Sequence, residues 1–138
     1  MAKKFRGAEL VREIDDALDK GLARFLILTQ GKLSKASPID SGRLASSWFI
    51  GAGAPNRSVP GDRAKGAGQV SITKFDGRIT LDRDWYISSN LAYSERVAFD
   101  PKYAKGGRVG GAAWFTTIAN NLGRDAEKSF DFFLKKVK

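Results

Sequence analysis

The sequence predicts an α+β fold, with a long N-terminal helix and a C-terminal helix packed on an antiparallel sheet with two long loops. Three observations carry this. Apolar residues recur at spacings of three and four near both ends of the chain. Between them lie short alternating segments punctuated by turn residues. Two glycine-rich basic stretches, 51–68 and 100–111, interrupt those segments and are too long for tight connections. Helices covering one face of a sheet follow from that order of elements.

Residues 1–7 read as a basic arm carrying Lys3, Lys4 and Arg6. A helix over 8–35 follows, with Val11, Ile14, Leu18, Leu22, Phe25 and Thr29 as its inward stripe. The apolar run at Phe25, Leu26, Ile27 and Leu28 reads as a core patch, and Gly31 is expected to fray the helix end. Pro38 closes the segment, because the residue before a proline is pushed out of the helical region. Asp40 then caps a short turn over 41–45, its carboxylate accepting amides two and three residues on. The sheet is placed within 46–99, around the long loop 51–68. It begins with a strand in "SSWFIGAG" and continues as a hairpin, "QVSITKF" turning at Asp76-Gly77 into "RITLDRDW". One more strand falls in "WYISSNLAYSERVAF", breaking into a turn or short helix near 92–97. After the loop 100–111, a helix over 112–137 shows the stripe Trp114, Ile118, Leu122, Ala126, Phe130, Phe133 and Val137. Residues 1–138 are read as one domain.

Composition narrows the chemistry. The 138 residues are 42% hydrophobic, enough for a packed core, and 24 Lys and Arg against 15 Asp and Glu give a formal charge of +9. That excess favours an acidic partner: nucleic acid, a membrane surface or an acidic protein face. Without cysteine there is no disulfide or thiolate, and without histidine the commonest general base and metal ligand are missing. No apolar stretch is long enough to span a membrane, and the amino terminus lacks the apolar run of a secretory signal. The expectation is a chain made in the cytoplasm that stays there or in an assembly, with no membrane partner.

The segment "SPIDSGRLASSW" raises the question of a catalytic serine. Ser41 or Ser46 as nucleophile would need lysine as its base. Ser71 and Lys74 have the Ser-x-x-Lys spacing, but in an extended segment they point to opposite faces, so the match reads as chance. The segment reads instead as a capped joint between helix and strand, formed by Pro38, Asp40, Gly42, Arg43, Leu44 and Trp48. Asp82 and Asp84 would share one face of a strand, where with Glu95 or Asp100 they could hold magnesium; a solvated strand edge accounts for them more simply. "GGRVGG" at 106–111 precedes a helix but lacks the lysine and hydroxyl of a phosphate loop. No catalytic, metal or cofactor-binding residue is assigned, and no cofactor is implied. The loops are more informative. Arg57, Arg63 and Lys65 in the first, and Lys102, Tyr103, Lys105 and Arg108 in the second, read as subunit or partner contacts, or else as charge that aids solubility.

A long amphipathic helix runs into Pro-x-Asp-x-Gly-x-Leu, here Pro38-Ile39-Asp40-Ser41-Gly42-Arg43-Leu44, followed by a serine-bearing strand. Further on "NLAYSERVAF" supplies a Tyr-x-x-x-Val element, then a glycine-rich loop and a helix. This resembles the neck and tail-completion (minor tail component) proteins of long-tailed bacteriophages. Tyr93 and Val97 fit that family's strand-end pattern, whereas Glu95 precedes the valine and Phe99-Asp100 stands in place of Gly-Thr. The resemblance implies a non-enzymatic virion protein in a homo-oligomeric ring, expected to be a hexamer. The ring would lie at the head–tail junction or tail top, at the completion, terminator or adaptor level. It would be assembled in the host cytoplasm, touching neighbouring neck and tail proteins and the passing DNA without sequence preference. The alternative from charge alone is a sequence-nonspecific nucleic-acid-binding domain.

Overall fold

The computed structural model describes residues 7–37, 43–60, 70, 72–91 and 114–137. Helix α1 spans Gly7–Ala36, strands β1 and β2 span Trp48–Ala52 and Trp85–Ser89, and helices α2 and α3 span Trp114–Asn120 and Leu122–Leu134. The fold is α+β, with the helices packed against a two-stranded antiparallel sheet. Trp48 pairs with Ser89, Ile50 with Ile87 and Ala52 with Trp85. The core gathers where the end of α1, the sheet and α2 meet: Leu33, Ala36, Leu44, Trp48, Leu91 and Trp114, flanked by Ile87, Phe115 and Ile118.

Helix α1 extends one residue beyond the predicted 8–35 at each end. Gly31 does not fray it. The helix continues to Ala36, where the Ser37 hydroxyl donates to the Leu33 carbonyl at 2.6 Å and the Ser37 amide donates to the same oxygen at 3.1 Å. The predicted inward stripe is correct only in part. Thr29 is buried and Ile14, Leu18, Leu22 and Phe25 are half-buried, but Val11 is exposed. Small residues, Ala17 and Gly21, take the centre of the seam with α3 instead. A Cβ on Gly21 would sit 2.7 Å from Phe130 Cδ1 and 3.0 Å from Phe130 Cα, so the two helices cross at a separation only glycine allows. Beyond Gly21 the buried face rotates to Leu26, Gln30, Leu33, Ser34 and Ala36, because the neighbour there is the sheet and its flanking chain. The run at 25–28 is therefore not a uniform core patch: Leu26 is buried, and Ile27 and Leu28 face outward.

The hairpin expected around Asp76-Gly77 does not form, and the described residues 72–84 contain no strand. Gly77 does bend the chain, with φ +137°, but the backbone groups on either side are taken by other partners. Thr73 O accepts from Gln30 Nε2 at 2.9 Å, and the Leu81 amide donates to Asp19 Oδ1 at 2.9 Å. Phe75 packs edge-on against Trp85 at 5.1 Å between ring centroids. The segment is thus laid against α1, and β1 pairs with the later strand, Trp85–Ser89. Alternation alone does not choose a partner; the hydrogen bonds that α1 offers do.

The helix expected over 112–137 is interrupted at Asn121, which has φ −98° and ψ 0°. Its side chain donates to Thr117 O at 2.8 Å and accepts from Arg124 at 3.0 Å, bridging the two helices across the break. The predicted stripe survives the break: Trp114 is buried, and Ile118, Leu122, Ala126, Phe130, Phe133 and Val137 are all half-buried.

Gly21 and Gly31 of α1 separate packing from propensity. Gly21→Ala is expected to cost about 1–3 kcal/mol, since its methyl meets backbone as well as ring atoms of Phe130. Gly31→Ala meets nothing within 4 Å and is expected to stabilise by about 0.5–1 kcal/mol through helix propensity. Denaturant titrations of both variants give the comparison; equal effects would contradict the crossing geometry.

Candidate functional site

Serine hydroxyls in the joint are committed to structure. Ser37, Ser46 and Ser47 are all buried. The Trp48 indole N–H donates to Ser37 Oγ at 2.9 Å while Ser37 itself donates back into α1. Ser47 Oγ donates to Leu44 O at 2.6 Å and lies 2.6 Å from Ser89 Oγ. A hydroxyl has one proton, so Ser89 is the donor in that pair. Gln30 completes the joint: both protons of its buried amide are used, one on Trp48 O at 2.7 Å and one on Thr73 O. Trp48 also stacks on Phe115 at 6.0 Å and meets Trp114 edge-on at 6.3 Å. Every buried side-chain nitrogen and oxygen among the described residues has a partner. Leu44 and Trp48 are both buried in the core cluster. Arg43 Nε reaches Pro60 O at 3.3 Å, and a turn runs over 43–46. Pro38, Asp40, Ser41 and Gly42 lie outside the described residues.

The acidic pair falls in a turn, not along a strand face. Asp82 accepts a hydrogen bond from the Thr80 hydroxyl and lies 4.0 Å from Arg83. The Thr80 bond, with help from the charge of Arg83, holds its carboxyl below the usual aspartate value. The ionised form is therefore the one the fold favours. Its contribution is present above the ordinary pKa and disappears as pH falls through the lowered one. Asp84 supplies its backbone carbonyl to Gly53 N–H at 2.7 Å, which closes the strand pair. Among the described residues no group of three His, Cys, Asp or Glu could hold a metal ion. Glu95 and Asp100 lie outside them, as do Ser71 and residues 106–111; Lys74 is exposed.

The first half of the long loop is strapped down. Ser88 Oγ donates to Asn56 O at 3.3 Å, Asn90 Nδ2 to Arg57 O at 3.0 Å, and Asn56 Oδ1 accepts from Ser58 N at 2.9 Å. Residues 54–56 fold back over Gly51 so closely that a Cβ there would lie 2.4 Å from Ala54 O and 2.6 Å from Asn56 N. Of the expected contact residues Arg57 is described and exposed. Arg63, Lys65, Lys102, Tyr103, Lys105 and Arg108 lie outside the described residues.

Sequence reasoning missed the surface that α1 exposes. Leu28 is 47% exposed beside Phe132 at 43% on α3, and Ile27 is 56% exposed. A groove of about 320 Å³ runs between the two helices there, with Arg24, Lys32 and Lys128 on its walls. Arg24 lies 4.1 Å above the Phe132 ring, and Lys32 bonds Asp125 across the helix pair at 2.7 Å. At the other end of α1, Leu10 is 37% and Val11 57% exposed, among Glu9, Glu13, Asp15 and Asp16. The signal was present: one helix carries apolar residues all round from 25 to 28, more than a single packed face uses. No described helix is long and apolar enough to cross a membrane. Compared with known protein families, curated proteins and solved structures, the chain matches none.

The joint predicts its own sensitivity. Ser37→Ala leaves the Trp48 indole N–H buried without an acceptor and is expected to cost about 1–3 kcal/mol. Gln30→Leu strips the donor from two carbonyls and is expected to cost at least as much. Chemical denaturation reads both; unchanged midpoints would mean the indole and the carbonyls find other partners.

Proposed function

We propose that this chain is a structural virion subunit that self-assembles into a ring at the head–tail junction or tail top of a long-tailed phage. It works by shape and adhesion, without bond-making chemistry. The observation that carries this reading is the pair of exposed apolar patches on α1, at Leu10 and Val11 and at Ile27, Leu28 and Phe132. Apolar surface of this kind, rimmed by charge, marks protein contact sites. The joint supports it from the other side. On either side of the motif that the resemblance shares, Ser37, Ser47 and Trp48 are locked by hydrogen bonds, a rigidity that suits a subunit under load. On this reading the partners are further copies of the chain, the adjoining neck and tail proteins and the DNA that passes through, and the molecule resides in the virion after assembly in the host cytoplasm.

The formal charge of +9 favours a second reading, nonspecific binding of nucleic acid. Native mass spectrometry of the purified protein, with duplex-DNA anisotropy across a salt series, separates the two. The ring reading expects a discrete oligomer of one size and antibody labelling confined to the neck or tail of particles. A strictly monomeric protein whose DNA affinity falls steeply with salt would replace it by the second reading.

A further inference from the structure

The two exposed patches of α1 differ in charge as well as place. Within residues 7–16, Leu10 and Val11 lie among the carboxylates of Glu9, Glu13, Asp15 and Asp16, with Arg12 and Arg78 beside them and Lys20 paired to Asp16 at 3.0 Å. Leu28 and Phe132 line a groove rimmed by Arg24, Lys32 and Lys128, with Asp125 answering Lys32, and Ile27 lies on the adjoining exposed face of α1. Gly31 shares the outer face with Ile27, one turn on, and the space over it is open to 4 Å, so another helix can approach closely. Seventeen residues of helix separate Val11 from Leu28, about 26 Å at 1.5 Å per residue. A single rigid helix cannot fold one patch onto the other.

We propose that the acidic first turns of α1 in one copy dock into the basic apolar groove at Leu28 and Phe132 of a second copy, joining subunits head to tail. The proposal rests on the self-associating reading above and fixes which surfaces meet. Charge selects this arrangement over the symmetric one. Two grooves facing each other bring Arg24 and Lys128 against their own counterparts, and two tips facing each other bring carboxylate against carboxylate; only tip against groove sets opposite signs across the contact. The apolar residues supply the adhesion, in the manner of an amphipathic helix laid in a groove. Because the two surfaces are different, each copy has one of each left to offer, and the contact repeats from copy to copy, forming a ring where its rotation closes.

Charge reversal tests this. Glu13→Lys with Asp15→Lys makes a chain with a basic tip and a basic groove; Arg24→Glu with Lys128→Glu makes one with an acidic tip and an acidic groove. Light scattering on gel-filtered protein is expected to show each variant alone self-associating roughly tenfold more weakly or worse than wild type, and an equimolar mixture recovering assembly. Circular dichroism checks that each is folded. Val11→Ser and Leu28→Ser, both at exposed positions, weaken assembly without altering charge and serve if a reversed variant does not fold. Wild-type assembly that survives both reversals and both serines overturns this contact while leaving the ring reading in place. Loss of assembly in the groove variants alone also overturns it, since the groove then receives something other than the tip. A wild-type protein that stays monomeric at every concentration removes both readings.

Discussion

Trp48 is held from three directions, and the arrangement of everything around it depends on that. Its indole N–H is fixed to Ser37 at the end of α1, its carbonyl is fixed to Gln30 two turns earlier on the same helix, and its ring is packed against Trp114 and Phe115 of α2. One residue therefore ties the long helix, the first strand and the carboxy-terminal helices into a single core. A buried tryptophan brings large apolar area, but a polar tip that must be satisfied as well. Ser37 meets that demand because it lies where α1 ends and its hydroxyl can donate into the helix and accept from the indole at once.

α1 is the element on which the rest is laid. Gln30 and Asp19 take backbone groups of 72–84 that would otherwise seek a neighbouring strand, so a segment with strand-like alternation runs as irregular chain. Gly21 brings α3 in close, and Lys32 pins the other end of that helix through Asp125; an exposed ion pair of this kind contributes little, about 0.2–1 kcal/mol, beside the packing. The loop after β1 is anchored in the same style, by Ser88 and Asn90 of the opposite side of the sheet. Small polar side chains that capture backbone are the recurring device, and they hold irregular chain where a larger sheet is absent among the described residues.

That device explains what could and could not be read from the residues alone. The end of α1 near Pro38, the stripe that begins at Trp114 and the strands at Trp48 and Trp85 follow from local rules of periodicity and punctuation, whereas the last helix breaks at Asn121 and ends at Leu134, three residues before the expected 137. The pairing of β1 does not follow from those rules. It turns on Gln30 and Asp19, polar residues that a hydrophobic pattern assigns to solvent. The true seam of α1 is equally hidden, because Ala17 and Gly21 carry almost no apolar weight and matter through what they leave out. In the joint, Ser41 and Ser46 drew notice as possible nucleophiles, whereas Ser37 and Ser47, whose hydroxyls lock the described part of it, did not. Ile27 and Leu28 looked like core because they belong to an apolar run, yet a helix buries one face and these two lie beyond it.

The exposed apolar patches and the strapped loop are carried by a body whose core is tied together at Trp48, which is what the proposed assembling subunit requires. Amide and indole hydrogen exchange followed by NMR tests that tie most directly. The account predicts that the Trp48 indole proton exchanges only with global unfolding, in the slowest class. The half-buried Trp85 indole, bonded to Thr80 O at 2.6 Å, is predicted to exchange earlier through local opening. A Trp48 indole that exchanges as fast as that of Trp85, or faster, would contradict it.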